Sequence, residues 1–132
     1  MSPEKEKQLY EKYPMLYAQR DMDMRETCMC WGVETGDGWF DLIDKLSAAL
    51  EQINHELPEG TEKIETVQVK SKFGGLRFYL DGVPLLISDK VSKLVTLAEE
   101  ESLKTCERCG KHGKPNESGW ITTLCEDCRP TI

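Results

Sequence analysis

Two Cys-x-x-Cys pairs in the C-terminal part of the chain constrain its fold more than any other feature. Cys106 and Cys109 form the first pair, and fifteen residues separate it from the second pair, Cys125 and Cys128. Two intervening residues let both thiolates of a pair reach one ion, and the spacing between the pairs is typical of a four-cysteine zinc site. Four thiolates about 2.3 Å from the ion close a tetrahedron and leave no position for water. The sequence therefore predicts a structural zinc ion (Zn²⁺).

The residues around the pairs predict the shape of the finger. The spacer, 111–124, can form a short hairpin with 120–122 as its returning strand. Only four residues follow Cys128, too few for the long helix of a treble clef. We therefore expect a zinc ribbon or a truncated, treble-clef-like finger. His112 could replace one cysteine as a ligand, but it lies just past the first pair and is expected to be exposed.

Hydrophobic periodicity predicts the secondary structure of the preceding chain. Apolar residues recur at three- and four-residue intervals over 39–57 and over 88–102, which indicates two amphipathic helices. Between them, two alternating runs flank Gly74-Gly75 and predict a β-hairpin at about 63–80, with the glycine pair as its turn. We therefore expect an α+β fold with two main helices on a small antiparallel sheet.

The N-terminus and the domain boundary follow from smaller signals. Ser2 can cap a short helix that begins at Pro3 and ends before Pro14. The finger follows the second long helix without a Gly-, Ser- or Pro-rich linker. We therefore predict an α+β domain over 1–103 and a zinc finger over 104–132 that packs on it.

Charge is unevenly distributed along a chain whose formal net charge is −7. Residues 31–62 carry eight acidic side chains and one basic one, whereas 63–80 carry four basic side chains and one acidic one. An acidic total argues against non-specific binding of nucleic acid, which needs clustered Lys and Arg. The basic stretch keeps that possibility open.

Neither secretion nor membrane insertion is indicated. The first seven residues lack the apolar stretch of a signal peptide. No apolar run approaches the roughly 20 residues that span a bilayer. We therefore expect a cytoplasmic protein without a membrane partner.

Three aspartates near the start of the first long helix are a candidate second site. Asp37, Asp41 and Asp44 could gather around a divalent cation, since Asp41 and Asp44 are three residues apart on one helix face. Acidic side chains are also favoured at a helix N-terminus, where the dipole is positive. With two histidines and no recognisable pairing of nucleophile and base, no catalytic residues are expected.

Cys28 and Cys30 lie on one face of a strand predicted over 27–31. They could supply another metal site or a reactive pair, but no histidine lies nearby in the sequence. Free cysteine is among the most buried residue types. We therefore expect both side chains to be buried, apolar and without a chemical role.

The hairpin carries the candidates for contact with a partner. Its loop is basic and contains glycine but lacks the helix that follows a phosphate-binding loop, so a plain turn is expected. Arg77 and Tyr79 are predicted on the exposed face. Together with Lys70 and Lys72 they are the candidate partner-binding residues.

Two segments resemble a group of small, uncharacterised zinc-finger proteins from bacteriophages and prophages. They are Gly-Asp-Gly-Trp-Phe-Asp-Leu-Ile at 36–43 and Val-Lys-Ser-Lys-Phe-Gly-Gly-Leu-Arg-Phe-Tyr at 69–79. The Cys-x-x-Cys-Gly knuckle, the Gly-Trp and the Thr-Leu-Cys-x-x-Cys that follow are similar too. The likeness spans about 28–128, implies zinc and a viral origin, and carries over no catalytic residue.

Three functions are compatible with these features. The favoured one is a small zinc-containing protein that binds another protein in the cytoplasm, a host factor if the gene is viral; an acidic protein can occupy a basic groove on such a partner. The second is a nucleic-acid-binding accessory factor that uses the finger and the basic hairpin, including Lys63. The third is an enzyme with a site near Asp37.

Overall fold

Helices and small sheets alternate along the chain in a computed structural model, which describes residues 1–117 and 119–129. The helices are α1 (Pro3–Lys12), α2 (Phe40–Glu56) and α3 (Ser88–Ser102). The strands are β1 (Val33–Glu34), β2 (Glu65–Lys72), β3 (Gly75–Asp81), β4 (Lys114–Pro115) and β5 (Thr123–Leu124). Short 3-10 segments lie at Cys28–Trp31, Asp37–Trp39, Leu85–Ile87 and Glu126–Cys128. The predicted α+β class is confirmed. Within the described ranges, no helix has the length and apolar character to cross a bilayer.

The larger sheet has β2 at its centre. β1 pairs with it in parallel, with Val33 opposite Val69, and β3 pairs with it antiparallel, with Phe78 opposite Val69. A parallel pair needs a long crossover connection, and α2 provides it. The sheet is therefore mixed rather than purely antiparallel as predicted, because the two-residue strand β1 is too short to show a pattern in sequence.

The turn between β2 and β3 lies one residue earlier than the glycine pair suggested. Phe73 and Gly74 are its two central residues, with φ of 53° and 80°, while Lys72 pairs with Gly75. A two-residue hairpin turn that matches the twist of its strands needs positive φ at both central positions. Gly75 is therefore a strand residue, and Phe73 adopts a backbone conformation that is uncommon for a bulky side chain.

The strand predicted over 27–31 is wrong. Cys28–Trp31 forms a 3-10 turn, because the hydroxyl of Thr27 accepts a hydrogen bond from the N–H of Met29 at 3.1 Å and caps the turn. Gly32, with φ of 74°, ends it. Met29 is buried, whereas Cys28 is exposed and Cys30 is half-buried. The two cysteines therefore do not form the buried pair on one strand face that the sequence predicted.

The hydrophobic core lies between α2 and the sheet. It also receives the end of α1, the turn after it, and α3, and its buried apolar residues are Leu9, Tyr13, Leu16, Tyr17, Met29, Val33, Trp39, Ile43, Leu46, Leu50, Ile53, Ile64, Val69, Leu76, Phe78 and Val91. The stripe predicted on α2 faces this core. The helix itself is shorter than predicted, since 37–39 form the separate 3-10 turn.

Polar side chains of α2 fix the loops that pack on it. The carboxylate of Glu51 accepts hydrogen bonds from the N–H groups of Met15 and Leu16 at 3.1 and 2.9 Å. The amide of Asn54 donates to the carbonyl of Ile64 at 2.9 Å and accepts from its N–H at 2.8 Å. Each pairing satisfies backbone groups that would otherwise be buried without a partner.

Asn54→Ala should destabilise the whole fold. The substitution leaves the N–H and carbonyl of Ile64 unpaired in the core, which costs about 2–4 kcal/mol of unfolding free energy in total. Urea denaturation followed by circular dichroism measures the loss. Gln52→Ala is the matched control, since Gln52 is exposed on the same helix and should change stability by no more than about 0.5 kcal/mol. Equal stabilities of the two variants would contradict the role of the Asn54 clamp.

Candidate metal centre and its surroundings

Tight turns present the four cysteines to one another. In the first pair the N–H of Cys106 donates to the carbonyl of Lys111 at 2.7 Å, and the N–H of Gly110 donates back to the carbonyl of Cys106 at 2.9 Å. In the second, the N–H of Cys128 donates to the carbonyl of Cys125 at 3.2 Å. The β4–β5 hairpin, in the predicted place but with its return strand at 123–124 instead of 120–122, brings the pairs together.

The sulfur atoms form a cluster of the size that a metal ion requires. All four lie within 4.8 Å of one another, and those of Cys109 and Cys125 are 3.5 Å apart. Bonds of about 2.3 Å to a central ion give sulfur–sulfur edges of roughly 3.8 Å in a regular tetrahedron. None of the four is in a disulfide. The predicted ligands Cys106, Cys109, Cys125 and Cys128 thus form a cluster compatible with metal binding.

The pKa values of two thiols in the cluster are shifted in opposite directions. Burial opposes ionisation of Cys106, but the backbone N–H groups of Cys125, Cys109 and Arg108 together lower the pKa of its thiol to about 6. The hydrogen bond with Cys125, followed by burial, raises the pKa of Cys128 to about 12. Like charges this close cannot all ionise without a cation between them. A bound metal would displace the remaining protons.

His112 stands outside the cluster. Its side chain is exposed, and its backbone forms an isolated bridge with Thr105. In the described part of the chain, the group of metal-ligating side chains consists of the four cysteines alone.

The first cysteine pair is joined to the core by the segment that precedes α2. Trp39 is fully buried, and its indole Nε1 donates to the carbonyl of Thr105 at 2.8 Å. The N–H of Gly38 donates to the carbonyl of Glu107, also at 2.8 Å. A methyl group at Gly38 would lie 2.1 Å from the carbonyl oxygen of Cys106, so this approach requires glycine.

A second set of hydrogen bonds ties the finger to the hairpin and to the segment before α2. The carboxylate of Glu107 accepts from the N–H of Gly36 at 2.9 Å and from the hydroxyl of Ser71 at 3.0 Å. The hydroxyl of Thr123 donates to the carbonyl of Gly74 at 2.6 Å. Sequence reasoning missed Glu107, because nothing in its neighbourhood distinguishes it from an exposed acid. The Gly-x-Gly-Trp pattern could have signalled a close backbone contact.

The three aspartates do not converge. Asp37 accepts the N–H of Ser2 at 2.7 Å, so its carboxylate holds the start of α1, where the Ser2 side chain makes no capping bond. Asp44 accepts the hydroxyl of Tyr13 at 2.8 Å and pairs with a lysine of α1. Asp41 is exposed. Two of the three carboxylates are thus occupied by different partners on the N-terminal segment.

The candidate partner-binding residues share a region of the sheet. Lys70 is opposite Arg77 in the β2–β3 register, and Tyr79 lies two residues further along the same face. Lys72 is exposed near the turn. The guanidinium of Arg77 lies 3.7 Å from the carboxylate of Glu99 on α3. Their part in binding stays a prediction.

A groove of about 630 Å³ runs between α2, α3 and the finger. Its walls are mainly apolar, with Leu42, Leu46 and Ala49 from α2 and Leu94, Leu97 and Ala98 from α3. Gly38, Thr105 and Gly110 close one end, and Asp41, Lys45 and Glu101 also line it. In sequence, Leu97 lies beside the buried stripe of α3, and its exposure was not evident there.

No protein-family model matches the chain, and neither does any curated protein or solved structure in the comparisons. The likeness to phage zinc-finger proteins therefore stays a prediction.

Cys106→Ser should abolish metal binding and lower the melting temperature. The variant removes one of four ligands, and the metal contributes folding free energy in such sites. Metal content by inductively coupled plasma mass spectrometry and thermal denaturation measure both effects. Cys28→Ser is the matched control, since Cys28 is exposed and outside the cluster. One bound metal per chain and an unchanged melting temperature in Cys106→Ser would contradict the assignment.

Gly38→Ala should weaken the metal centre without replacing a ligand. The added methyl group would press on the carbonyl of Cys106, and such overpacking costs about 1–3 kcal/mol. Transfer of the metal to a colorimetric chelator should accordingly be faster than in the wild type. Gly60→Ala is the control for backbone strain: Gly60 has φ of 81° and follows the opposite end of α2, so the substitution strains the chain there without adding an atom against the cysteine cluster, and should change the transfer rate little. Equal rates in both variants would show that this contact does not support the finger.

Proposed function

We propose that the four cysteines hold one zinc ion and that it is structural. The observation that carries this proposal is the closed cluster of four sulfurs within 4.8 Å. Thiolates select soft or borderline ions, and a four-thiolate tetrahedral site suits zinc or an iron–sulfur centre. Four protein ligands complete the coordination of zinc and leave no position for a substrate. When bound, the ion supplies the cross-link that a 24-residue finger segment (106–129) needs to stay folded.

We further propose that the protein acts by binding another protein. The groove beside α3 supports this, because its apolar walls are open to solvent and Leu97 is 57% exposed. Exposed apolar surface rimmed by charge is typical of sites for amphipathic helices. A partner helix would place its apolar stripe between α2 and α3.

Charge at the finger end of the groove favours a basic residue on the partner. Asp41 and Glu101 line the groove there. The last turn of α3 contains no basic residue, and Lys45, one turn further along α2 than Asp41, is the basic side chain among the lining residues. The proposed occupant is therefore an amphipathic helix with Lys or Arg at one end of its apolar stripe. A host protein would be the source of that helix if the resemblance to phage proteins holds.

Leu97→Asp should weaken partner binding by at least about tenfold, since it places a charge in the apolar wall of the groove. A photo-crosslinking amino acid at position 97 would capture the partner in lysate, and its contact segment would be identified by mass spectrometry. Calorimetry with that purified segment then compares the wild type with Leu97→Asp.

The control site for crosslinking is Leu86, which is fully exposed and does not line the groove. Capture of the same partner from both positions, or equal affinity of wild type and Leu97→Asp for the segment, would refute the groove as the binding site. A captured segment without an apolar stripe would refute the proposed class of partner.

A further inference from the structure

The outer face of the β1–β2–β3 sheet concentrates positive charge on an acidic chain. We define it by the cross-strand pairs Lys70 with Arg77 and Gln68 with Tyr79. Residues one position away, such as Val69 and Phe78, are buried on the opposite face. The outer face is therefore the solvent side of the sheet.

Acidic side chains offset only part of this charge. Glu34 on β1 is opposite Lys70 in the parallel register, and Glu99 lies beside Arg77 at the edge of the sheet. Lys72 extends the basic surface toward the turn, where its ammonium lies 5.5 Å from the centre of the Phe73 ring. Three basic and two acidic side chains thus leave a small positive charge at the turn end of the sheet, in contrast to the formal net charge of −7 for the whole chain.

Exposed aromatic rings lie at three places around the hairpin: Tyr79 on its outer face, Phe73 in its turn and Trp120 in the finger, next to the residue that contacts the turn. Phe73 is 70% exposed, Trp120 is 88% exposed and Tyr79 is 42% exposed. A methyl group at Gly74 would lie 3.0 Å from the side chain of Ile121. Phe73 and Trp120 are therefore the chain neighbours of two residues that lie against each other where the finger contacts the turn.

The backbone at Trp120 and Thr122 is held in place by hydrogen bonds. The side-chain amide of Asn116 donates to the carbonyl of Trp120 at 2.9 Å, and its oxygen accepts the N–H of Thr122 at 2.7 Å. The hydroxyl of Thr123 fixes the same strand to Gly74. The exposed ring of Trp120 is therefore carried by backbone that hydrogen bonds fix at Trp120 and Thr122.

We propose that the outer face and these rings together bind single-stranded nucleic acid. Proteins that bind single strands combine basic side chains along the backbone with aromatic rings on which unpaired bases stack. In a duplex the faces of the bases are already stacked, so a duplex would contact the basic side chains but not the rings. An acidic protein would meet the same charges, but the combination of basic side chains with exposed flat rings favours unpaired bases, which stack on such rings.

Fluorescence reports the stacking directly. The experiment uses zinc-loaded Trp31→Phe protein, so that Trp120 is the exposed indole while Trp39 stays buried. Addition of oligo(dT) should quench this fluorescence, with a dissociation constant of about 10⁻⁶–10⁻⁴ M at moderate salt. Trp120→Phe in the same background should remove the quenching, and Phe73→Ala should weaken binding by about fivefold or more, as expected for the loss of one stacked base.

The salt dependence tests the three basic residues. With Lys70, Lys72 and Arg77 on phosphates, the slope of log K against log salt should be about −2, and Lys72→Ala should reduce its magnitude by about 0.7. Lys93→Ala is the matched control, since Lys93 is exposed on α3 away from the sheet, and should leave the slope unchanged. Leu97→Asp should not affect this binding, which separates it from the proposed protein site.

Three outcomes would overturn the proposal. The first is no quenching and no anisotropy change with labelled oligo(dT) up to about 10⁻³ M, beyond the range of non-specific binding. The second is equal affinity for heparin or polyglutamate with no effect of the Phe73 and Trp120 substitutions, which would show a general anion surface or an acidic protein as ligand. The third is a preference for duplex over single strand.

Discussion

The contact between Trp39 and the first cysteine pair holds the two parts of the structure together. Trp39 is buried in the core, yet its indole N–H donates to Thr105 at 2.8 Å, one residue before the first cysteine. Gly38 lets the backbone of Cys106 and Glu107 approach the start of α2. The carboxylate of Glu107 in turn accepts hydrogen bonds from Gly36 and Ser71. Folding of the core and geometry of the sulfur cluster are therefore physically coupled.

This coupling gives the metal centre a role beyond the finger. Gly38, Thr105 and Gly110, from the two sides of this contact, also line the groove between α2 and α3. The finger also fixes the tip of the hairpin, through the bond from Thr123 to Gly74. Both proposed binding surfaces thus depend on the cysteine cluster for part of their shape, although neither includes a cysteine side chain.

The two surfaces differ in charge and in chemistry. The groove is apolar with acidic residues at the finger end, as suits a helix with a basic end. The outer face of the sheet is basic and bordered by exposed rings. A chain with net charge −7 can carry both, because the Debye length of about 8 Å at physiological salt confines each field to its own side. An accessory factor that joins a protein to a single strand would combine the two proposals.

The sequence by itself determined the cysteine cluster, the two long helices and the existence of the hairpin. These features depend on local spacing: two residues between ligands, apolar residues at helical intervals, and alternation along a strand. Only the tertiary structure decided the rest. The 3-10 turn at Cys28–Trp31 needs the Thr27 cap, and β1 needs β2 beside it. The contacts of Glu107, the groove between α2 and α3, and the contact of the finger with the hairpin turn each join residues that are far apart in the chain. No local sequence pattern encodes which distant side chains meet.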